Sequence, residues 1–216
     1  VVERPKASIR SLLGSRLCLV ALGITSLQMF GHFLLVPHFA TYFEFNLDFP
    51  RSHLGLLYLL GGVASLAAMR IGGAWIDRGS AVTEVLVSSG CLSLVTLLGF
   101  AAPVGMSLYV IFTLFMALSA VRTNSTMTIA AGVPHAHQRA AFMAFQGTVS
   151  NVAAGLGSLF SARYLSEGPQ HQVIGFEHLA AFYAVAGVVA GLGVLYLLHG
   201  IRQRDMCLTS TKQQAG

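Results

Sequence analysis

The sequence predicts an all-α, polytopic membrane protein with six transmembrane helices. Of its 216 residues, 55% are hydrophobic and 10% are charged, and the mean hydropathy is +0.70. A water-soluble domain carries about 25% charged residues, so this composition is typical of a chain that faces lipid. The apolar residues form runs of about 20, the length that an α-helix needs to cross a hydrocarbon core of about 30 Å. Helices are expected because backbone groups cannot stay unpaired in lipid, and the runs lack the alternation of barrel strands.

Six segments are long and apolar enough to be membrane spans. In chain order they are about 17–40, 54–76, 85–102, 106–131, 140–163 and 179–199. A basic interfacial segment, residues 1–16, precedes them, and a cytoplasmic tail, residues 200–216, follows. Gly187 and Gly191 form a GxxxG pattern in the last span, and Gly147, Asn151 and Gly155 lie on one face of the fifth. These small or polar residues predict close contacts between helices.

The Lys and Arg residues orient the chain in a plasma membrane, because such residues are enriched in cytoplasmic connections. Ten of the 13 lie beside one set of span ends: Arg4, Lys6, Arg10, Arg16, Arg70, Arg78, Arg139, Arg202, Arg204 and Lys212. The opposite connections and their flanks hold two basic residues and four acids: Arg51, Arg163, Glu44, Asp48, Glu167 and Glu177. Both termini are therefore predicted to be cytoplasmic. The formal charge of +5 does not indicate a nucleic-acid partner, since the bases form short clusters between apolar runs.

Two stretches beside the spans carry a resemblance to a known family. The stretch GAWIDRG, residues 73–79, ends the second span and resembles the G-x-x-x-D-R-x-G loop of the major facilitator superfamily. It departs from that pattern because Gly79 comes one place early and no basic pair follows. The stretch from Pro134 to Ala140 resembles the Pro-x-x-x-x-Arg-Gly/Ala entry to the fifth helix of a facilitator half. From about Leu17 to Arg204, the chain is similar to the C-terminal half of bacterial drug and sugar (arabinose-type) efflux permeases.

The resemblance implies transport of a small solute by alternating access, in which two six-helix bundles rock around a midplane site. It implies a secondary active transporter, with efflux driven by proton antiport. The partners are then the lipid bilayer, a small-molecule substrate and an N-terminal six-helix half that this sequence does not contain.

The loop after the second span is the candidate gate, formed by Gly73, Asp77 and Arg78 together with Arg139. A carboxylate is favoured near the unpaired amides of a helix N-terminus. We therefore expect Asp77 to approach the start of the fifth span, near Arg139, when the transporter is closed to the inside. The alternative is a solvated interfacial ion pair worth less than about 1 kcal/mol.

Arg122 is the most informative single residue, because a charge at lipid depth is costly and usually functional. No Asp or Glu lies within any predicted span, so its partner is expected to be a carbonyl, water, a substrate or an acid from another bundle. Ser119 and Thr126 share its helix face and can orient it. The alternative is that Arg122 extends to the cytoplasmic interface. In the family, the fourth helix of the first half carries a functional arginine. Arg122 occupies the repeat-equivalent helix, although residues 123–125 do not match that motif.

Other transport-path candidates are pairs of polar residues four apart, which lie one above the other on a helix. Thr25, Gln28 and His32 form such a stripe in the first span, which could line a cavity or hydrogen-bond neighbouring helices without a ligand. Gln146 and Ser150 are weaker candidates of the same kind in the fifth span.

The motifs of competing functions are absent from the sequence, so we predict no enzyme, cofactor or metal site. An intramembrane protease needs a G-x-S-x-G-like serine, a metalloprotease H-E-x-x-H, and a nucleotide-driven pump G-x-x-x-x-G-K-S/T. The remaining alternative is a six-helix protein that acts as a homodimeric half-transporter or as a non-transporting membrane partner.

Overall fold

The computed structural model describes residues 12–79, 81–101 and 107–214, and it is almost entirely helical. Its helices are α1 (Arg16–Leu35), α2 (Phe39–Asn46), α3 (Arg51–Asp77), α4 (Ala81–Thr96), α5 (Leu108–Ala131), α6 (Arg139–Tyr164) and α7 (Phe176–Gln214). A 3₁₀ turn, Val36–His38, joins α1 to α2, and a π-helical turn, Leu97–Ala101, extends α4. The short strands β1 (Ser166–Glu167) and β2 (Val173–Ile174) pair in an antiparallel hairpin between α6 and α7. The predicted tail is therefore helical as far as Gln214.

Local sequence signals account for several helix ends. Ser15 caps α1 by accepting a hydrogen bond from the Cys18 amide, and Pro37 lies in the 3₁₀ turn, where a missing amide hydrogen costs little. Pro50 precedes α3, and Gly79 closes the turn after it with a φ of +79°, a conformation that favours glycine. The chain thus enters and leaves its long helices through tight connections.

Within the residues that the structure describes, five helical segments are long and apolar enough to cross a membrane: Arg16–Asn46, Arg51–Asp77, Ala81–Ala101, Leu108–Ala131 and Phe176–Arg204. This supports a multi-pass membrane protein. The predicted fifth span, 140–163, is present as α6, but its apolarity falls short of that of the other five. The physical reason lies in its composition, since Gln146, Thr148, Ser150 and Asn151 interrupt its central turns.

The long helices pack in a pattern that relates the first three, α1, α3 and α4, to the last three, α5, α6 and α7. In this correspondence α1, α3 and α4 are equivalent to α5, α6 and α7, in that order. The contact between α1 and α6 is then equivalent to that between α5 and α3, and the contact between α1 and α7 to that between α5 and α4. The α4–α7 contact is equivalent to itself, and all of these pairs are in contact. Because each set contains an odd number of helices, corresponding helices run in opposite directions. The bundle is therefore organised as two triplets of inverted direction.

Two ends of the bundle have different cores. The hairpin end, which carries β1 and β2, is packed with aromatic rings around Phe39, and Asn46 ties the hairpin down through both backbone groups of Val173. The tail end, where α1 starts and α7 continues past the bundle, is packed with aliphatic residues around Ala21, Val85 and Val194. Buried polar residues lie mainly between these two cores and toward the tail end.

The glycine predictions have mixed outcomes. Gly187 and Gly191 do lie in close helix contacts, against Arg122 and Ser93 and against Ser89 respectively. The predicted contact face of α6 is wrong, because a Cβ at Gly147 or Gly155 would meet nothing within 4 Å and Asn151 is exposed. The close contact of α6 is made instead by Gly157, which lies against the backbone of Phe30. The spacing of small residues predicted the helix contacts of α7, but it did not identify which face of α6 packs against another helix.

Candidate functional site

A groove of about 520 Å³ runs along one side of the bundle between α1, α3 and α5. It lies at mid-depth, because Met29, Ser65 and Ser119 are near the middle of their helices. Four of the seven methionines of the chain line it, namely Met29, Met69, Met116 and Met127. Its polar lining consists of His32, Ser65, Ser119, Thr123 and Asn124. An apolar concavity with a few convergent polar groups is the usual form of a small-molecule site.

His32 is the predicted transport-path residue that the structure places in this groove. Its ring stacks on Phe115, with an interplanar angle of 5° and a centroid distance of 6.2 Å. The nearby side chains of Thr123 and Asn124 are partly exposed and make no hydrogen bond within the described part of the chain. These groups can therefore take water or a ligand as a partner.

A larger cavity of about 650 Å³ lies elsewhere, on the exposed face of α6. Phe30, Leu156, Leu159 and Phe160 give it an apolar lining, and Arg163 and Tyr164 lie at its edge. Because polar groups do not converge there, the mid-depth groove is the better candidate for a solute site.

Arg122 lies behind the groove, in the interior of the bundle, with 2% of its surface exposed. Its Nη2 donates to the Tyr183 hydroxyl over 2.7 Å, and the guanidinium carbon lies 5.0 Å from the Tyr183 ring centroid. Nε and Nη1 have no hydrogen-bond partner among the described residues, and no described ion pair includes Arg122. The alternative that Arg122 extends to the interface is therefore wrong.

Tyr183 is the partner that the sequence analysis missed. Gly187 makes room for the guanidinium, since a Cβ there would lie 2.5 Å from Nη1, and Gly31 does the same for the Tyr183 ring. Tyr183, Gly187 and Gly191 are four residues apart, so they share one face of α7. Extending the GxxxG pattern by one turn would have found the tyrosine.

The residues expected to orient Arg122 act differently. Thr126 donates to the Arg122 carbonyl and accepts from Gln28 Nε2 over 2.9 Å, which joins α5 to α1. Ser119 donates to the Met116 carbonyl and lines the groove. Thr25 bonds to carbonyls of its own helix. Of the predicted stripe, only His32 lines the groove, and Thr25 and Gln28 are bonded inside the bundle.

Gln146 and Ser150 are buried on the face of α6 that packs against α1, away from the groove. The amide nitrogen of Gln146 and the hydroxyl of Ser150 have no hydrogen-bond partner among the described residues. The two side chains lie between helices, but these atoms make none of the hydrogen bonds that the alternative expected.

Glu84 corrects the statement that no acid lies within a span. The predicted third span began at residue 85, but α4 begins at Ala81, so Glu84 lies inside the apolar segment Ala81–Ala101. It is fully buried. Hydropathy alone placed the boundary just past the acid, because an acid lowers the local average.

The candidate gating residues lie at the tail end. Asp77 and Arg78 are exposed at the end of α3, and Arg139 is exposed at the start of α6. A Cβ at Gly73 would meet nothing within 4 Å. Among the described ion pairs none joins Asp77 to Arg139. This arrangement of the helices does not bring the two side chains together.

Comparison with known proteins gives no further assignment, since no family model, curated protein or solved structure matches this chain.

Proposed function

We propose that this protein moves a small solute across a membrane by alternating access, as a secondary active transporter of the major facilitator type. The observation that carries the proposal is the groove at mid-depth between α1, α3 and α5, where polar groups without protein partners face open space. Polar side chains at lipid depth are costly unless they line a cavity or pair with each other. A solute path explains why Thr123 and Asn124 remain unpaired.

The helix arrangement supports the same proposal. The first three long helices are followed by three of opposite direction, and equivalent pairs are in contact. Many transporter bundles are built from an internal repeat of this kind. In this proposal α6 also crosses the membrane, which brings the number of spans to six. Its 26 residues are as long as those of the other spans, and its polar side chains Gln146 and Ser150 face α1 rather than lipid.

The groove lining indicates the class of solute. Methionine side chains are flexible and polarizable, so a surface with four of them adapts to different apolar shapes. Among the described residues that line the groove, His32 is the only acid or base. We infer an uncharged or weakly charged solute with an apolar body and hydrogen-bonding groups, exported in exchange for protons.

A second six-helix bundle would close the open side of the groove. We propose that it is an N-terminal half of the same protein. The alternative is a second copy of this chain, or a membrane partner in a complex that does not transport, and the same open groove is compatible with it.

Flux measurements test the proposal. The protein is reconstituted in vesicles in the longest form that its coding sequence specifies. Uptake and release of a panel of amphipathic compounds are then measured with and without a proton gradient. We expect gradient-dependent movement of a subset of the panel. Absence of flux for every compound, together with cross-linking of the groove to a second copy, would favour the alternative.

A further inference from the structure

Glu84 is the only buried acid in the part of the chain that the structure describes, and none of its surface is exposed. Neither carboxylate oxygen has a hydrogen-bond partner, and no described ion pair includes it. An ionised carboxylate buried without a partner is so costly that such a group takes up a proton instead. A role in packing does not explain why an acid occupies this position.

Two hydroxyl groups lie beside the Glu84 carboxyl group, those of Ser88 and Ser125. In the structure the Ser88 hydroxyl donates to the Val85 carbonyl over 3.3 Å, and the Ser125 hydroxyl donates to the Val121 carbonyl over 2.8 Å. A hydroxyl hydrogen can rotate, so each serine can accept from the protonated carboxyl group or donate to the ionised one. The surroundings of Glu84 can therefore accommodate both of its forms.

The position of Glu84 in its helix favours the ionised form. Glu84 lies in the first turn of α4, where free amides and the helix dipole stabilise negative charge.

We propose that Glu84 binds and releases the proton that is coupled to transport. This inference rests on the proposed function. A proton from water at the tail end binds one carboxylate oxygen of Glu84, and the same O–H bond breaks when the proton returns to water. The Glu84 side chain then alternates between neutral and negative, which gives the two arrangements of the bundle different electrostatic energies. The described titratable or charged side chains on the helices packed against α4 are Tyr109 and Arg122 on α5, Arg51, His53, Tyr58, Arg70, Asp77 and Arg78 on or just after α3, and Glu177, His178, Tyr183, Tyr196, His199, Arg202 and Arg204 on α7.

The first test measures proton binding without any solute. The protein reconstituted in lipid is titrated with acid and base while infrared difference spectra record the carbonyl stretch of protonated carboxyl groups. We expect one band that disappears reversibly as the pH rises, is absent in Glu84→Gln, and is retained at a shifted frequency in Glu84→Asp. Glu44→Gln, which changes an acid beside Arg51 at the hairpin end, should keep the band. A band that Glu84→Gln leaves unchanged overturns the proposal. So does a band that responds to sodium at constant pH.

The second test measures coupling with a compound that the wild-type protein transports. If one proton moves per solute molecule, a gradient of about one pH unit supports about tenfold accumulation. We expect Glu84→Gln to lose this accumulation and Glu44→Gln to keep it. Full accumulation by Glu84→Gln would disprove the coupling role. If the wild-type protein moves no compound, the proposed function fails instead, and the infrared titration still decides whether Glu84 binds a proton.

Discussion

Arg122 and Thr123 are neighbours in the chain, but α5 directs them into opposite environments. Arg122 faces the bundle interior with 2% of its surface exposed, whereas Thr123 lines the open groove. Ser125 and Thr126 share the interior face, and Asn124 and Met127 share the groove face. One helix thus carries a closed polar region and an open one.

The two regions differ in what their polar atoms can bind. A buried polar atom without a partner costs roughly 1 to 3 kcal/mol in proteins, whereas water can pair with an atom in an open groove at little cost. The polar atoms of the closed region are therefore limited to partners within the bundle, while those of the open region can exchange water for a ligand. We expect the closed region to control transport without touching solute, and the open region to determine which solute binds.

The largest expected effect is the loss of transport when Arg122 is replaced. Arg122→Ala removes the charge and the bond to Tyr183, so flux should be abolished. Arg122→Lys should also impair flux, because a lysine lacks the planar fork that reaches the tyrosine. Arg122→Met is the control for folding, since an apolar residue of similar size in place of a buried charge is often neutral or stabilising. Vesicle flux and thermal unfolding measure the two properties. Near-normal flux in both the Ala and Lys variants would remove Arg122 from the transport mechanism.

The next largest expected effect is a difference in stability between substitutions on the packed and the exposed faces of α6. A Cβ at Gly157 would overlap the Phe30 carbonyl oxygen, whereas one at Gly155 would meet nothing within 4 Å. Gly157→Ala should therefore destabilise the chain by about 1 to 3 kcal/mol, as overpacking does. Gly155→Ala should stabilise it slightly, by up to about 1 kcal/mol, because alanine favours the helix. Thermal unfolding in detergent measures both, and equal changes in the two variants would contradict the observed packing of α1 and α6.

Sequence periodicity located the long helices well, because the length and apolarity needed to cross a bilayer are local properties. Periodicity could not show which neighbour each helix face contacts. Gln28 and His32 are four residues apart and were therefore grouped, but Gln28 bonds Thr126 whereas His32 lines the groove. The bond from Arg122 to Tyr183 joins residues 61 positions apart, which local spacing cannot reveal. Glu84 was missed because it lies at a helix boundary, where the hydropathy average is least informative.

A smaller effect is expected in the open region. Thr123→Val keeps the shape of the side chain and removes a hydroxyl that lines the groove, so it should weaken solute binding by one hydrogen bond. Such a bond contributes about 0.5 to 1.5 kcal/mol, or a change of roughly two- to tenfold in apparent affinity. Thr128→Val on the same helix is the matched control, because Thr128 is exposed outside the groove and bonds the Asn124 carbonyl. Concentration-dependent flux measures both. Equal affinities in the two variants would show that solute does not contact this part of the groove.

The smallest effect is expected at Asp77, which tests whether an exposed acid can still control the gate. Asp77 forms no ion pair with a described residue, so Asp77→Asn should leave thermal unfolding unchanged. If the carboxylate contacts a helix N-terminus in the inward-closed state, its loss costs about 0.3 to 1 kcal/mol in that state alone. The ratio of inward-open to inward-closed molecules then rises by no more than about fivefold, and turnover falls by a similar factor. Accessibility of a cysteine introduced at Thr123, measured from the cytoplasmic side, reports this ratio, and Arg78→Gln is the control for loss of a neighbouring charge. Normal turnover with unchanged accessibility would identify Asp77 as a solvated acid, because a gating contact must favour one state over the other.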